Sequence, residues 1–306
     1  MNRGHFADAL TPGFHKIFDD GYAEEALMLE QIFSMQTSEK DTERDSSYGG
    51  FALPFETTEG EPITYDQVYQ GYDVTYRHKK YTLGFKVTRE AIEDDLYRIV
   101  SRRPAEMGRA MRRGAEVQAR DVFVNGFSTT YLGGDAKPIF STTHPRPDGG
   151  TAQSNASSTG LVFSEANLET GRLAMMDQLD DRGQIIGTMP DSLLIPQEIE
   201  KTVHLVIDST LRQGTADNDA NFYKGKFSIK MWKYLTSSTA WFLLDTSVIN
   251  ARGTLTWFWR RRPEFKNDEL FDTEYAVYKS TMRFSRGWSD WHGIWGSRGD
   301  GASYSD

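Results

Sequence analysis

Seven arginines crowd one stretch of this chain: Arg98, Arg102, Arg103, Arg109, Arg112, Arg113 and Arg120 face only Glu106 and Glu116, a local balance of +5 between positions 98 and 120. A second basic cluster is Arg260-Arg261-Arg262. Guanidinium groups at this density neutralise phosphates with salt-sensitive affinity or grip carboxylates across an interface through two hydrogen bonds. The opening 48 residues favour the second chemistry. There Asp8, Asp19, Asp20, Glu24, Glu25, Glu30, Glu39, Asp41, Glu43 and Asp45 outnumber Arg3, Lys16, Lys40 and Arg44, a balance of −6. The whole chain of 306 residues carries a formal charge of −9, which opposes strong non-specific binding to nucleic acid. The arginines are therefore expected to meet the acidic segment or loop of an adjacent copy.

Covalent and metal chemistry find little support. His5, His15, His78, His144, His204 and His292 form no pair at ligand spacing. Asp180-Asp181 beside Arg182-Gly183 reads as a solvated turn rather than an acid–base pair. There is no phosphate-cradling glycine loop, nucleophile elbow or dinucleotide fingerprint. Zero cysteines exclude disulfides and thiolate nucleophiles. Asn155-Ala-Ser157 fits the glycosylation pattern by chance, because the Met1–Phe6 stretch has no apolar leader. Neither a leader nor a cleaved propeptide is expected, and no apolar run reaches the ~20 residues of a bilayer span. Catalytic, cofactor-binding and metal-binding residues are assigned to none, and no enzyme activity or cofactor is expected. Trp288, Trp291 and Trp295, around His292, have helical spacing and read as a core or contact anchor.

The elements that position the charges are unusual. Ile63, Tyr65, Val68 and Tyr69, then Tyr72, Val74 and Tyr76, alternate side-chain character, as do Tyr81, Leu83, Phe85 and Val87. That is strand periodicity, with Gly71 offered as the turn between two arms. At roughly 3.3 Å per residue the run 72–87 reaches about 50 Å. An isolated ribbon is marginal in water, so the stretch before Thr88 is expected to be covered by adjoining molecules. Aromatics make up 13% of the chain against a hydrophobic content of 38%, so many rings are expected on partly exposed surfaces. A short amphipathic helix is expected over 22–35, on Ala26, Leu29, Ile32 and Phe33. Thr88 should cap a long charged helix that Pro104 breaks or kinks. Beyond it, Met107, Met111, Ala115, Ala119 and Val122 form an apolar stripe. Further expectations are a surface loop at 145–160, a Ser164-capped helix to about 178, a buried strand at 193–195 and a helix after Pro196. A polar loop over 213–223 and strands at 227–232, 239–244, 255–260 and 274–284 complete the reading.

Several stretches in this order resemble the major head protein of Mu-like tailed bacteriophages. They are Glu59-Gly-Glu-Pro-Ile63 with the ribbon, Val87-Thr-Arg-Glu-Ala91 with Asp94-Asp95, and Lys137-Pro-Ile-Phe-Ser-Thr-Thr-His-Pro145. Pro190-Asp-Ser-Leu-Leu-Ile-Pro196 and Ala240-Trp-Phe-Leu-Leu-Asp245 follow, so the likeness spans about 16–296. The resemblance implies an α+β chain with the tailed-phage major capsid fold. It would place an N-terminal arm at 1–48, an extended loop at 49–87, a peripheral domain with its spine helix at 88–180, an axial domain at 181–251, and return strands with the C-terminal tail at 252–306. It implies self-assembly into hexamers and pentamers of an icosahedral shell around double-stranded DNA. A scaffolding protein, a portal, a maturation protease and a possible decoration protein are implied as partners, DNA contacts as weak, and membrane contact as none. The expected location is the virion, with assembly in the host cytoplasm. Some relatives weld neighbours through a lysine–asparagine bond. Lys79, Lys80 and Lys86 lie in or beside the ribbon, but no matching asparagine or activating acid is identifiable, and no crosslink is expected. An encapsulin-like compartment shell and a soluble hydrolase remain the alternatives.

Overall fold

Helix α1 (Phe6–Tyr22) crosses the long helix α4 (Ile99–Val124), and its Phe14 and Phe18, one helical turn apart and both buried, meet the rings of Tyr278 and Phe265. The computed structural model describes residues 6–24, 26–63, 65–66, 70–94, 99–211, 220–270, 273 and 275–306. Helix α4 spans about 39 Å at 1.5 Å per residue. Its face made of Met107, Met111, Ala115, Ala119 and Val122 is buried, as the spacing predicts. The helix runs unbroken through Pro104. Proline removes one helical donor there, close to the first turn, where unpaired N–H groups already occur. Thr88 caps the short helix α3 (Arg89–Glu93), its Oγ1 accepting the Ala91 N–H at 3.2 Å.

A first sheet packs on α4 in the order β1-β8-β9-β4. Strand β1 (Ser34–Thr37) runs parallel to β8 (Leu255–Leu270), β8 is antiparallel to β9 (Tyr275–Trp288), and β9 is antiparallel to β4 (Lys79–Val87). A second sheet has the order β10-β7-β5-β6. Its strands are β5 (Ser192–Ile195), β6 (Ser228–Met231), β7 (Trp241–Leu244) and β10 (Ile294–Ser297). Strands β5, β7 and β10 are buried at every position, the mark of a sheet covered on both faces. Alternate side chains serve different cores. Phe242 and Leu244 join the α4 core, while Trp241 and Leu243 pack with α5 (Glu165–Met176) and α6 (Glu200–Ile207). Ser164 caps α5 as expected, its Oγ accepting the Asn167 N–H at 3.2 Å. A two-stranded sheet of β2 (Thr42–Tyr48) and β3 (Gln70–Arg77) shares no strand with either, and buried Tyr76 of β3 packs on Phe258 of β8, ring centroids 5.1 Å apart.

Further expectations are corrected. The helix expected at 22–35 is a single turn, α2 (Leu29–Ile32), followed by β1. Leu29, Ile32 and Phe33 are buried, but hydrogen bonding to β8 draws the chain straight after one turn. Gly71 is not a turn. It lies inside β3, which pairs with β2, because a segment from before the ribbon supplies the partner strand. Much of the stretch before Thr88 finds its cover within its own subunit: α1 on α4, β1 on β8 and β4 on β9. Trp288 closes β9 and Trp295 lies in β10, so the tryptophan spacing spans a strand–turn–strand, not a helix. Finally, Trp232, Trp241, Trp257, Trp259 and Trp295 are fully buried, so most tryptophan builds core rather than surface. Helix α7 (Thr246–Arg252), capped by Asp245, went unforeseen. Glu25, Val68, Tyr69, Asp95, Arg98 and most of the 213–223 loop lie outside the described residues.

Candidate assembly surfaces

The sheet of β2 and β3 carries a far end that belongs to neither core. Between the two strands, the described residues of 50–66 take no helix or strand, and Phe51, Phe55 and Tyr65 are 69%, 75% and 89% exposed. Leu53 and Ile63 are exposed beside them. Positions 50–66 also hold Glu56, Glu59, Glu61 and Asp66 with no basic residue. This end is therefore apolar and acidic together. The stem is tightly joined: the Ser47 hydroxyl accepts the Tyr72 N–H at 2.9 Å, and a β-carbon on Gly71 would lie 2.2 Å from that hydroxyl.

At the root of the limb, His78 links three elements. Nε2 lies 3.0 Å from Ser38 Oγ and Nδ1 3.0 Å from Ser285 Oγ of β9, while Ser38 Oγ donates to Glu43 at 2.7 Å. Burial, reinforced by Arg283, pushes the imidazole below its usual range. The root is thus held by an imidazole ring between two hydroxyls.

The sheet of β4, β9 and β8 has one face on α4 and one face outward. Inward-facing Tyr81, Phe85, Tyr278, Met282 and Phe265 pack on the α4 core. Lys80, Lys86, Lys279 and Lys266 are exposed on the other face, with Gly84 level with Lys279. Period two places those lysines together and away from the core. Lys266 pairs with Glu264 at 3.5 Å, and Arg283 with Asp41 at 2.8 Å.

The arginines of α4 mostly find partners within the subunit. Arg109 forms a two-pronged ion pair with Glu24, just beyond α1, with Nη2 3.3 Å from Oε1. Arg103 pairs with Glu106 at 3.4 Å, and Arg120 donates to the Tyr234 carbonyl at 2.9 Å. Arg112 is buried. The acidic segment does meet the basic helix, but within one chain for the Glu24 pair. Glu116 is the unexpected member. It accepts the Met28 N–H at 2.6 Å and the Trp232 indole N–H at 2.7 Å, and burial pushes its carboxyl above the usual range. Of the second cluster, Arg262 lies over the Trp259 ring at 5.7 Å and Arg261 is 3.9 Å from Glu264.

A cavity of about 390 Å³ lies beside the stem, bounded by Asp45, Tyr72, Asp135, Asp181, Arg252 and Trp288 among others. Trp291 is sandwiched there, its ring 4.5 Å from that of His144 and 3.8 Å from that of His292. His144 Nδ1 is 2.6 Å from Asp135 and Nε2 3.1 Å from Asn155 Oδ1, while His292 contacts Asp290 at 2.5 Å and the Leu179 carbonyl at 2.9 Å. Burial alone would raise the Asp290 carboxyl, yet His292 and Arg252 beside it hold it below the usual range. Each imidazole nitrogen is committed to a hydrogen bond, so these rings fasten loops and present no free base. Asp181, read from sequence as solvated, is half-buried at this cavity, and burial raises its carboxyl. Asn155 is fully buried, which closes it to glycosylation. Among the described residues no group of three or more His, Asp or Glu side chains could hold a metal ion, and no helix is long and apolar enough to cross a membrane.

The sequence signature of the phage capsid protein family matches residues 71–296. No curated protein sequence matches the chain. A chain from the procapsid of bacteriophage JBD30 is 19% identical, with a TM-score of 0.54 covering 97% of this chain and 76% of that one. A chain from the bacteriophage JBD30 capsid is 16% identical, with a TM-score of 0.58 covering 77% of this chain and 100% of that one. A virus-like particle from Pyrococcus furiosus is 11% identical, with a TM-score of 0.52 covering 94% of this chain and 98% of that one. At these identities the likeness is one of fold.

Proposed function

We propose that this chain, which belongs to the phage capsid protein family, is the major head subunit of a tailed phage or Mu-like prophage, joining copies of itself into hexamers and pentamers around double-stranded DNA. It is a structural protein with the α+β capsid fold. The observation that carries the reading is the limb of β2 and β3, whose far end exposes Phe51, Leu53, Phe55, Ile63 and Tyr65. Apolar side chains gathered on a projecting loop mark an interaction site. A contact between such a limb and a different surface of the next copy is heterologous and closes into rings. Permanent assemblies of this kind bury more than about 2,000 Å² per interface.

Charge suggests where the limb lands. Its far end is purely acidic, and the outward face of β4 and β9 carries Lys80, Lys86 and Lys279, while Lys266 of β8 already pairs with Glu264. The acidic end of one copy rests on the basic sheet of the next. In this reading 1–48 is the arm, 49–87 the extended loop, 88–180 the peripheral domain, 181–251 the axial domain and 252–306 the return and tail. The strand pairing favours drawing the projecting unit itself as 42–77. A scaffolding protein and portal assist assembly in the host cytoplasm, a decoration protein is a further candidate partner, and genome contacts are weak. The chain has no enzymatic role. An encapsulin-like shell is the alternative, and the family match favours a phage head.

Negative-stain microscopy of the expressed protein, with and without its scaffold, tests the reading. Closed shells, tubes or capsomer rings are expected. Monodisperse monomers under every condition would overturn it.

A further inference from the structure

Arg182 bridges both sides of the neck of the projecting limb. Arg182, in the turn that follows α5, sends Nη2 to both carboxylate oxygens of Asp66, 3.1 Å from each, and donates through Nε to the Gly50 carbonyl, also at 3.1 Å. Gly50 belongs to the outgoing side of the limb and Asp66 to the returning side. A single guanidinium thus ties the two sides to each other and to the body. Asp66 also accepts the Ala52 N–H at 2.8 Å, and Gln184 Nε2 donates to the Phe51 carbonyl at 3.3 Å.

The turn that carries Arg182 is itself fixed. Asp180 Oδ1 accepts the N–H groups of Arg182 and Gln184, both at 2.8 Å. Gly183 adopts a φ of 76°, which glycine reaches without steric cost. The Arg182 side chain is 16% exposed and that of Asp66 30%, so the pair is better shielded than a fully solvated ion pair.

We propose that Arg182 is a positioning residue for assembly, fixing the direction in which the 51–65 loop leaves the body before a neighbour arrives. This rests on reading that loop as the surface that meets the next copy. A loop pinned at its neck has lost part of its freedom before contact, so less ordering remains to oppose docking. Arginine suits the task because its planar fork reaches the carboxylate and the carbonyl together, which a lysine ammonium does not.

The test is a double-mutant cycle of Arg182→Ala and Asp66→Asn on the full chain. Chymotrypsin cleavage of the 51–65 loop is read in the unassembled protein, and shell yield is read by sedimentation. Each single variant is expected to speed loop cleavage roughly tenfold, with the melting temperature of the body unchanged. The double variant should fall short of the sum of the singles, since the Arg182–Asp66 contact is lost in either one while the Gly50 and Ala52 bonds belong to one partner each. Assembly should slow in parallel. Unchanged cleavage in Arg182→Ala, or additive effects in the double variant, overturns the proposal. If the parent chain fails to form shells, the functional reading fails while the cleavage cycle still decides the clamp.

Discussion

Gly108 of α4 meets the backbone of Phe18 in α1 so closely that a β-carbon there would lie 2.4 Å from the Phe18 carbonyl oxygen. The contact is reciprocal, because a β-carbon on Gly21 would lie 2.5 Å from the Ala105 carbonyl oxygen. The two helices touch backbone to backbone, and neither side has a flexible side chain that could yield. Gly108→Ala gains about 1 kcal/mol of helix propensity, yet the clash at a packed crossing costs about 1–3 kcal/mol or more. A net loss in unfolding free energy is expected in urea titration, with hydrogen-exchange protection falling first in α1.

Asn155 carries a second structural prediction. Its Oδ1 accepts the Ser141 N–H at 2.9 Å and faces His144 Nε2 at 3.1 Å, while Nδ2 donates to the Ile139 carbonyl at 2.7 Å. Asn155→Ala orphans three buried groups of the 139–144 segment. Each unsatisfied group costs about 1–3 kcal/mol, so stability should fall by about 3 kcal/mol overall. Chemical denaturation measures this, and a loss below about 0.5 kcal/mol would show that the loops are fastened elsewhere.

The far end of the limb separates assembly from folding. Phe51, Phe55 and Tyr65 belong to neither core, so changing all three to serine should alter monomer stability by no more than about 0.5 kcal/mol per site. Shell formation should nevertheless be lost. Parallel thermal melts and sedimentation of one preparation check both halves. A variant that assembles at the parent yield would remove these rings from the interface.

Acid should weaken the packing of α5 through Glu169. Arg172, Tyr223 and Lys226 surround this carboxylate, and the Arg172 hydrogen bonds are the main reason it is held down to about 2 from an ordinary 4.5. Its distances to Arg172 Nη2 and Tyr223 Oη are both 2.6 Å. Folding lowers the affinity of the group for protons, so the unfolded chain binds more of them below pH 4.5. The stabilisation is complete above that value and declines as pH falls toward about 2. Glu169→Gln should flatten this part of the stability–pH curve, and added salt should shrink the difference, because the pair is partly exposed. An unchanged acid limb would show that other carboxylates set it.

Local chemistry was legible wherever the neighbouring residues decide the outcome. The Thr88 and Ser164 caps, the buried face of α4 and the buried strands β5 and β7 follow from short-range spacing and hydrogen bonding. The α4 arginines were legible as a cluster, but not their partners. Arg109 finds Glu24 because α1 crosses α4, and that crossing depends on two glycines with no signature of their own.

The charge balance, the acidic and apolar composition of 50–66 and the absence of thiol chemistry belonged to the sequence alone, because composition does not depend on what packs against it. Which strands pair was decided only in three dimensions. Tyr72, Val74 and Tyr76 alternate equally well beside any partner, and the hydrogen-bonding edge carries no residue-specific label. So β3 joined β2 rather than the segment before it, β4 turned back onto β9, and Arg182 came to hold Asp66, 116 residues away in the chain. Such contacts depend on where the backbone returns, and only the folded chain contains that information.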